Sequence, residues 1–317
     1  MSTDAVTVVG AGGIGSAVGA AFRTAGIPVV LVESNPAKIE HGRREGWTVV
    51  PFAEWQPGAA DLIFLCVKCY DNAAVLAKLP PAALLVPIQN GFDPQLDAFG
   101  HAAEGIASFV AACPPDRVET VITRPGELHV GSRGSHPAPP RLLDLMSRLN
   151  PKLFRLKLVP NVLPIKYTKL MYNAAISPLA AASGIDNGQL LSDPSARRLF
   201  FSLIQENYAI LSAAGVELGT VGPFHPRTVA RILRQKWLAR LMAKFFEPSL
   251  RGTYCSMAGE IEKGRTELDN YNGHLLELAA GRVDVPLNRA VYDLVKRMER
   301  EKEKPARDVI QRLGKQV

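Results

Sequence analysis

Three polar side chains at four-residue spacing interrupt an apolar stretch of the sequence, "KLMYNAAIS". Lys169, Asn173 and Ser177 would lie on one face of an α-helix, because side chains at positions i and i+4 stack one above the other. Such a ridge would offer a ligand one cation and two neutral hydrogen-bonding groups. The alternative interpretation is the solvated face of an amphipathic helix.

A glycine-rich segment near the start of the chain could hold phosphate groups. "VVGAGGIGSAVG" places Gly10, Gly12 and Gly15 in G-x-G-x-x-G register, after a strand-like run and at the start of a helix-like run. The first glycine permits a tight turn, the second lets the backbone approach a pyrophosphate, and the third lets helix and strand pack closely. The anion would lie at the helix amino terminus. We therefore predict that a dinucleotide is bound by Gly10, Gly12, Gly13, Ile14 and Gly15.

The choice of dinucleotide depends on the residues that follow the next strand-like run. Glu33 ends "VVLVE", and a carboxylate there can accept hydrogen bonds from the adenosine ribose while repelling a 2′-phosphate. Lys38, Arg43 and Arg44 come shortly afterwards, and a cation folding back could still accommodate that phosphate. Glu33 thus favours NADH and leaves NADPH open.

Two kinds of pattern along the chain predict two domains. The first half alternates near-continuous apolar strand-like runs with helix-like segments, which predicts an α/β Rossmann-type doubly wound parallel sheet covered on both faces. The segment "KLFRLKLVPNVLP" is interpreted as a final strand leading out of that sheet. From Ile165 onward the patterning is helical. We predict a dinucleotide-binding domain at residues 1–161 and an all-α substrate and catalytic domain at residues 162–317.

Composition limits the class of protein. The chain has 317 residues, of which 47% are hydrophobic and 21% charged, as is usual for a folded globular protein. No window holds eighteen consecutive apolar residues, so we expect no membrane span. The pair Cys66 and Cys69 forms a C-x-x-C without a second pair, so we expect no metal site and a reduced, cytoplasmic chain.

The net charge of +7 raises the question of an acidic partner. The most basic run, residues 227–244, has bases three or four apart and no acid between them. We interpret it as the solvated basic face of one helix whose other face is apolar. Nucleic-acid binding is the alternative, and we do not expect it, because no nucleic-acid motif accompanies the run.

Taken in order, several segments resemble the ketopantoate reductase family, also called 2-dehydropantoate 2-reductases. The matching segments are "GAGGIG", "VKCYD", "IQNG", "KLMYNAAISPL", "SM", "GRTELDNYNG" and "VPLNRAVYDLVK". The resemblance implies a Rossmann domain followed by a helical domain, the usual use of NADPH, and a step of pantothenate biosynthesis.

The resemblance also implies roles for individual residues. Lys169 would be the general acid that protonates the ketone oxygen as hydride reaches the carbonyl carbon, and Glu267 would be the second catalytic residue, holding the hydroxyl end of the substrate together with Asn173. The implied substrate-binding residues are Asn90, Asn173, Ser177 and Ser256, and Lys68 and Asn90 would face the cofactor. Lys166 is the competing lysine, and motif register predicts a surface position for it. The ridge is then the substrate-facing side of a cleft between the domains.

Three departures from the family pattern affect the substrate and the cofactor. Ser177 stands where the family usually has a second asparagine, and Glu33 stands near the usual arginine of NADPH-dependent members. The chain is about one residue shorter between "SM" and "TELD", so Cys255 is an alternative to Ser256. The run from Cys255 to Gly273 is expected to be helical, with Glu267 as an alternative helix-start acid.

The sequence therefore predicts an oxidoreductase that reduces a small anionic 2-oxo acid, ketopantoate to pantoate or a close analogue, with NADPH or NADH. The alternatives are a related reductase of another keto acid or an imine, and a dinucleotide-sensing protein without chemistry. A homodimer is the expected assembly.

Overall fold

The structure is a computed structural model that describes residues 5–134 and 137–315. The chain divides into two compact units, Met1–Leu163 and Pro164–Val317. Within the described ranges, each helix is too short or too polar to cross a lipid bilayer.

The first unit is built on a parallel sheet. Its strands are β1 (Val6–Val9), β2 (Val29–Glu33), β3 (Thr48–Pro51), β4 (Leu62–Leu65) and β5 (Leu84–Pro87). The strand order is β3-β2-β1-β4-β5, and each neighbouring pair is parallel. The order reverses between β1 and β4, and open α/β sheets bind ligands at such a switch point, beyond the carboxyl ends of the strands. The predicted doubly wound fold is confirmed.

Side chains of this sheet pack on both of its faces. The helices that follow its strands are α1 (Gly13–Thr24), α2 (Pro36–Arg44), α3 (Asn72–Leu76) and α4 (Pro94–Phe99). Val8 and Phe64 belong to one core cluster with Phe22 of α1, whereas Val9 and Leu65 belong to another. This two-sided burial explains why the strands are apolar at successive positions.

The last part of the first unit departs from the prediction. It comprises β6 (Ala103–Ala107), β7 (Val110–Ala112), β8 (Val121–Arg124), β9 (Glu127–Ser132), α5 (Pro140–Ser147) and β10 (Arg155–Asn161). β10 pairs with β9 in a sheet of order β10-β9-β6, which a single parallel bridge between Ile88 and Gly105 links to the end of β5. β10 is thus not one of the five strands of the parallel sheet. The prediction was wrong on this point because an apolar run shows that a strand forms but does not reveal its neighbour.

The regular secondary structure among the described residues of the second unit is helical. Its α-helices are α6 (Leu163–Ser183), α7 (Gln189–Ser192), α8 (Pro194–Ala213), α9 (Pro226–Leu233), α10 (Lys236–Leu250), α11 (His274–Ala279), α12 (Pro286–Glu301) and α13 (Asp308–Gly314). A 3₁₀ turn at Ile261–Lys263 and a π-helix at Asp269–Gly273 lie between α10 and α11. The predicted all-α architecture is confirmed.

The basic run at residues 227–244 is two helices rather than one. Gln235 has extended backbone angles, φ −106° and ψ 106°, which end the helical path between α9 and α10. On α10 the apolar side chains Trp237, Leu241 and Phe245 are 67%, 60% and 73% exposed. This exposed apolar stripe lies beside the bases, so the surface of α10 is mixed rather than simply solvated and basic.

Candidate active site

The glycine-rich loop joins β1 to α1 and requires glycine at two positions. Gly10 has a φ of +93°, and a Cβ there would lie 2.8 Å from Cγ1 of Val67. A Cβ on Gly15 would lie 1.9 Å from the carbonyl oxygen of Gly10. The close approach of Val67 to Gly10, and of α1 to the end of β1 at Gly15, therefore excludes every side chain at these two positions.

The amino end of α1 fits an anionic group. Gly12 is the N-cap residue and, as a glycine, has no side chain that could cap the helix. A Cβ on Gly12 would have no heavy atom within 4 Å, so the backbone there is open to a ligand. Gly13 lies against the backbone of Ala111, and Ile14 packs partly buried against the core. The amino end of α1, whose dipole favours an anion, thus has room beside Gly12 for a group such as a pyrophosphate.

Glu33, at the end of β2, turns its carboxylate back onto the glycine-rich loop. Its Oε2 accepts a hydrogen bond from the N–H of Ala11 at 3.0 Å. Its Oε1 accepts from the N–H groups of Ser34 at 2.8 Å and Asn35 at 3.0 Å. Three backbone donors therefore fix this negative charge beside the predicted dinucleotide site.

The three cations that follow Glu33 have different partners. Lys38 folds back and donates to the carbonyl oxygen of Ala11 at 2.8 Å and to Sγ of Cys113 at 3.4 Å. Arg43 donates to the carbonyl oxygen of Val49, and Arg44 pairs with exposed Glu40 at 3.5 Å. A cavity of about 680 Å³ is lined by Ser34, Pro36, Ile39, Glu40, Arg43, Arg44 and Pro51. Arginine side chains thus line a space next to Glu33.

Lys68 and Asn90 follow β4 and β5 at the carboxyl edge of the sheet, on two loops that are tied together. The buried Asn72 side chain donates to Oε1 of Gln89 at 3.1 Å and to Oδ2 of Asp93 at 2.7 Å. Gln89 donates to Oδ1 of Asn72 at 2.7 Å and to the carbonyl oxygen of Val67 at 2.7 Å. These bonds brace both loops at the edge where parallel sheets bind ligands.

Cys69 adds a further link between these loops, because its Sγ donates to the carbonyl oxygen of Asn90 at 3.3 Å. Burial raises the pKa of the neighbouring Cys66 thiol to about 12. A thiol with so high a pKa is protonated at neutral pH and is a poor nucleophile.

In the second unit, helix α6 carries the polar ridge of Lys169, Asn173 and Ser177. Lys169 and Asn173 are half-buried, whereas Ser177 is only 3% exposed. The alternative interpretation, in which the ridge is a solvated helix face, therefore does not describe these side chains.

Lys169 lies close enough to Glu267 for their charges to interact. Burial lowers the pKa of Lys169 to about 8, and the Glu267 carboxylate, itself only 2% exposed, opposes that shift. A lysine with a pKa near the working pH can both hold and release a proton. The structure thus brings Lys169 and Glu267 together within the second unit.

Ser256 and Glu267 share Tyr271, a residue that the sequence analysis missed. The Tyr271 hydroxyl donates to Oε2 of Glu267 at 3.4 Å and lies 3.4 Å from the Ser256 hydroxyl. Tyr271 is fully buried. The spacing of four residues between Glu267 and Tyr271 was the available signal, because it predicts that the two side chains meet.

The segment around these residues is not the continuous helix that the sequence predicts. Ser256 lies in a turn, and Glu267 precedes the π-helix at Asp269–Gly273. Gly264, with a φ of +76°, ends the 3₁₀ turn, and the N–H of Thr266 is bonded to the Glu299 carboxylate at 2.7 Å. These tertiary bonds, rather than helix propensity, determine the local path of the chain.

The surroundings of Lys166, Cys255 and Ser256 can also be compared with the expectations. Lys166 is 3% exposed, so its predicted surface position is wrong; α6 is covered on several sides, and Thr168, Leu170 and Met171 are buried as well. The Cys255 thiol donates to the carbonyl oxygen of Ser177 at 3.5 Å, whereas the Ser256 hydroxyl lies near Tyr271.

Comparison with known proteins identifies the family. The family model "Ketopantoate reductase PanE/ApbA" matches residues 6–132, and "Ketopantoate reductase PanE/ApbA C terminal" matches residues 161–299. The chain belongs to the ketopantoate reductase family. As the sequence predicts, it is an NAD(P)H-dependent oxidoreductase of the 2-dehydropantoate 2-reductase type.

Individual relatives are distant but extend over most of the chain. The 2-dehydropantoate 2-reductase of Pyrobaculum aerophilum is 27% identical over 76% of this chain and 79% of its own length. That of Archaeoglobus fulgidus is 24% identical over 94% of this chain and 99% of its own length.

Solved structures share the fold. A PanE/ApbA family ketopantoate reductase from Ralstonia eutropha has a TM-score of 0.73 at 21% identity, over 94% of this chain and 99% of its own. D-mandelate dehydrogenase in complex with NADH has a TM-score of 0.74 at 19% identity, over 94% and 100%. A dimeric ketopantoate reductase from Staphylococcus aureus has a TM-score of 0.69 at 16% identity, over 94% and 99%.

A matched pair of glycine substitutions tests the loop. Gly12→Ala is expected to fold normally, because a Cβ there meets no atom within 4 Å, but to weaken NADH binding roughly tenfold or more by filling the space of the pyrophosphate. Gly15→Ala is expected to lower the free energy of unfolding by about 1–3 kcal/mol, because its Cβ overlaps the Gly10 carbonyl oxygen. Fluorescence titration and urea unfolding measure the two effects. Unchanged NADH affinity in folded Gly12→Ala would place the pyrophosphate elsewhere.

Proposed function

We propose that this protein reduces a small anionic 2-oxo acid, ketopantoate or a close analogue, to the 2-hydroxy acid, with Lys169 as the proton donor. The supporting observation is the half-buried Lys169, whose pKa is lowered to about 8 beside Glu267. A lysine with an ordinary pKa near 10.5 would release its proton reluctantly. Lowered to about 8, it is still mostly protonated at neutral pH and is a more effective acid.

The residues of the second unit suit the charges that form in such a reduction. Bound NAD(P)H supplies the hydride for the carbonyl carbon. Negative charge then develops on the ketone oxygen, and the Lys169 ammonium group stabilises it before donating its proton. Glu267 favours the protonated form of Lys169 and, with Asn173, would hold the hydroxyl end of the substrate. The Ser256 hydroxyl would contact the substrate carboxylate.

Ketopantoate is the substrate to test first, because the family and the relatives from Pyrobaculum aerophilum and Archaeoglobus fulgidus support it. The D-mandelate dehydrogenase neighbour supports the alternative of another 2-oxo acid on the same fold. Initial rates with ketopantoate, with NADH and NADPH in parallel, decide between them. Turnover supports the proposal. If the cofactor binds but ketopantoate is not reduced, ketopantoate is not the substrate, and a panel of other 2-oxo acids is tested next.

Replacing the lysine separates an enzyme from a dinucleotide-sensing protein. Lys169→Ala is expected to lower kcat by about 10²–10⁴-fold, the usual contribution of a general acid, while NADH binding is retained. Lys166→Met, three residues earlier on the same helix, is the matched control and is expected to retain the wild-type pH profile. Wild-type turnover in Lys169→Ala would contradict the assignment of the proton donor.

The pH dependence of kcat/KM provides a second test. The acid must be protonated, so kcat/KM is expected to fall as the pH rises through about 8, the pKa of Lys169. Glu267 raises that pKa, so Glu267→Gln is expected to move the falling limb to lower pH. Initial rates from about pH 6 to about pH 10 measure the limb. A limb that stays in place in Glu267→Gln would show that another group titrates.

We infer that NADH is preferred over NADPH, because three backbone donors hold the Glu33 carboxylate in place at the end of β2. A fixed anion repels a 2′-phosphate. Lys38 and the arginines lining the nearby cavity reduce that penalty, so some use of NADPH is expected.

A substitution that removes the negative charge of Glu33 tests this preference. Glu33→Gln is expected to shift the ratio of kcat/KM for NADPH to that for NADH by roughly tenfold in favour of NADPH, because the repelling charge is removed. Glu40→Gln is the control, since Glu40 lines the same cavity but pairs with Arg44. An equal shift in both variants would mean that general charge, not the position of Glu33, governs the choice.

A homodimer is also proposed, and it is supported by the dimeric relative from Staphylococcus aureus. The exposed apolar stripe of Trp237, Leu241 and Phe245 is the kind of surface that interfaces cover. Sedimentation velocity of the purified protein measures the assembly. The predicted cytoplasmic location remains a prediction.

A further inference from the structure

Helix α6 contains a proline that leaves one of its carbonyl groups without the usual partner. Pro178 lies inside the helix, and a proline has no N–H to donate to the carbonyl oxygen four residues earlier. That oxygen belongs to Ala174, which is fully buried. A buried carbonyl group needs a replacement donor, because water cannot supply one there.

The replacement comes from a residue 98 positions along the chain. Nδ2 of Asn272 donates to the carbonyl oxygen of Ala174 at 2.9 Å. Asn272 is fully buried in the π-helix at Asp269–Gly273. Its side-chain amide thus takes the place of the N–H that Pro178 lacks.

Other buried amides hold Asn272 in this position. Its Nδ2 also donates to Oδ1 of Asn288 at 3.0 Å. Asn288, on α12, donates to Oε2 of Glu206 at 3.0 Å and to Oδ1 of Asn207 at 2.9 Å. Asn207, on α8, donates to the carbonyl oxygen of Met171 at 2.8 Å. The network starts and ends on α6, so it fixes that helix at two carbonyl groups one turn apart.

The hydrogen bond that is missing at Pro178 lies next to residues of the polar ridge. Ala174 directly follows Asn173, and Pro178 directly follows Ser177. On the other side, the π-helix that carries Asn272 begins two residues after Glu267. One side-chain amide therefore joins the helix of Lys169 to the segment of Glu267. Extra-residue π-turns of this kind are frequent at functional sites.

We propose that Asn272 is a positioning residue, which replaces the backbone donor removed by Pro178 and thereby holds the Lys169 helix in register with Glu267. The donor replacement is independent of any activity. Its consequence for proton transfer rests on the proposed function.

A double-mutant cycle tests the donor replacement. Urea unfolding is measured for the wild type, Asn272→Ala, Pro178→Ala and the double variant. Asn272→Ala is expected to be strongly destabilising while Pro178 is present. Pro178→Ala supplies a backbone N–H to Ala174, so the same asparagine substitution is expected to have at least a tenfold smaller effect on the folding equilibrium constant in that background. The lost bond to Asn288 is common to both backgrounds and cancels.

Asn270→Ala is the matched control, because Asn270 lies on the same π-helix and its effect should add to that of Pro178→Ala. Additive effects of Asn272→Ala and Pro178→Ala would overturn the donor replacement. Should Asn272→Ala fail to fold, the double variant decides: the proposal expects the double variant to fold, and its failure would also overturn the proposal.

The positioning role has a separate readout. At a temperature where each variant is folded, Asn272→Ala is expected to lower kcat for the 2-oxo acid roughly tenfold without changing the Kd of NADH, and Pro178→Ala is expected to restore part of the loss. Wild-type kcat in folded Asn272→Ala would overturn the positioning role. An inactive wild type would refute the proposed function alone, because the unfolding cycle still tests the donor replacement.

Discussion

The electrostatic balance between half-buried Lys169 and buried Glu267 is the constraint on which the candidate site of the helical unit depends. Water normally stabilises an ammonium group, and removing that water lowers the pKa of Lys169. Glu267 restores part of the lost stabilisation, but a carboxylate that is itself buried needs donors, and Tyr271 supplies one. Each charge stabilises the other, and a single buried charge without such a partner is strongly unfavourable.

That balance requires fixed positions, because electrostatic interactions in a poorly solvated site change steeply with distance. The buried amides of Asn207, Asn272 and Asn288 meet this requirement by bonding the backbone of α6. The side-chain nitrogen of each of these three asparagines donates a hydrogen bond, and buried bonds of this kind restrict the groups that they join. The buried amides of the second unit thus hold the helix that carries Lys169.

In the first unit, a region that favours an anion lies beside a fixed negative charge. Its glycine-rich loop leaves the amino end of α1 open for a negative group, whereas the Glu33 carboxylate beside it is fixed by three N–H donors. A helix amino end, which favours an anion, and a carboxylate, which accepts from hydroxyl groups, therefore lie on adjacent parts of one loop system. Family membership establishes the class of chemistry, but at 24–27% identity to the curated relatives these local charges must be assessed in this chain itself.

The sequence by itself determined the features that depend on neighbouring residues. The spacing of Gly10, Gly12 and Gly15 predicts the phosphate loop, because each glycine acts within a single turn of chain. The spacing of Lys169, Asn173 and Ser177 predicts one helix face, and the apolar strands predict a sheet buried on both sides. Resemblance of ordered motifs then indicated the family, which the family models confirm.

Only the tertiary structure decided the features that join distant parts of the chain. Periodicity could not place β10 beside β9, bury Lys166, or interrupt the predicted helix before Glu267. Nor could it connect Pro178 with Asn272, because a missing N–H is a local fact whereas its replacement lies 98 residues from Ala174. The sequence indicates which groups need hydrogen-bond or charge partners. Which partners they have depends on the tertiary structure, because hydrogen bonds and charge pairs form between groups that are close in space, whatever their separation in the sequence.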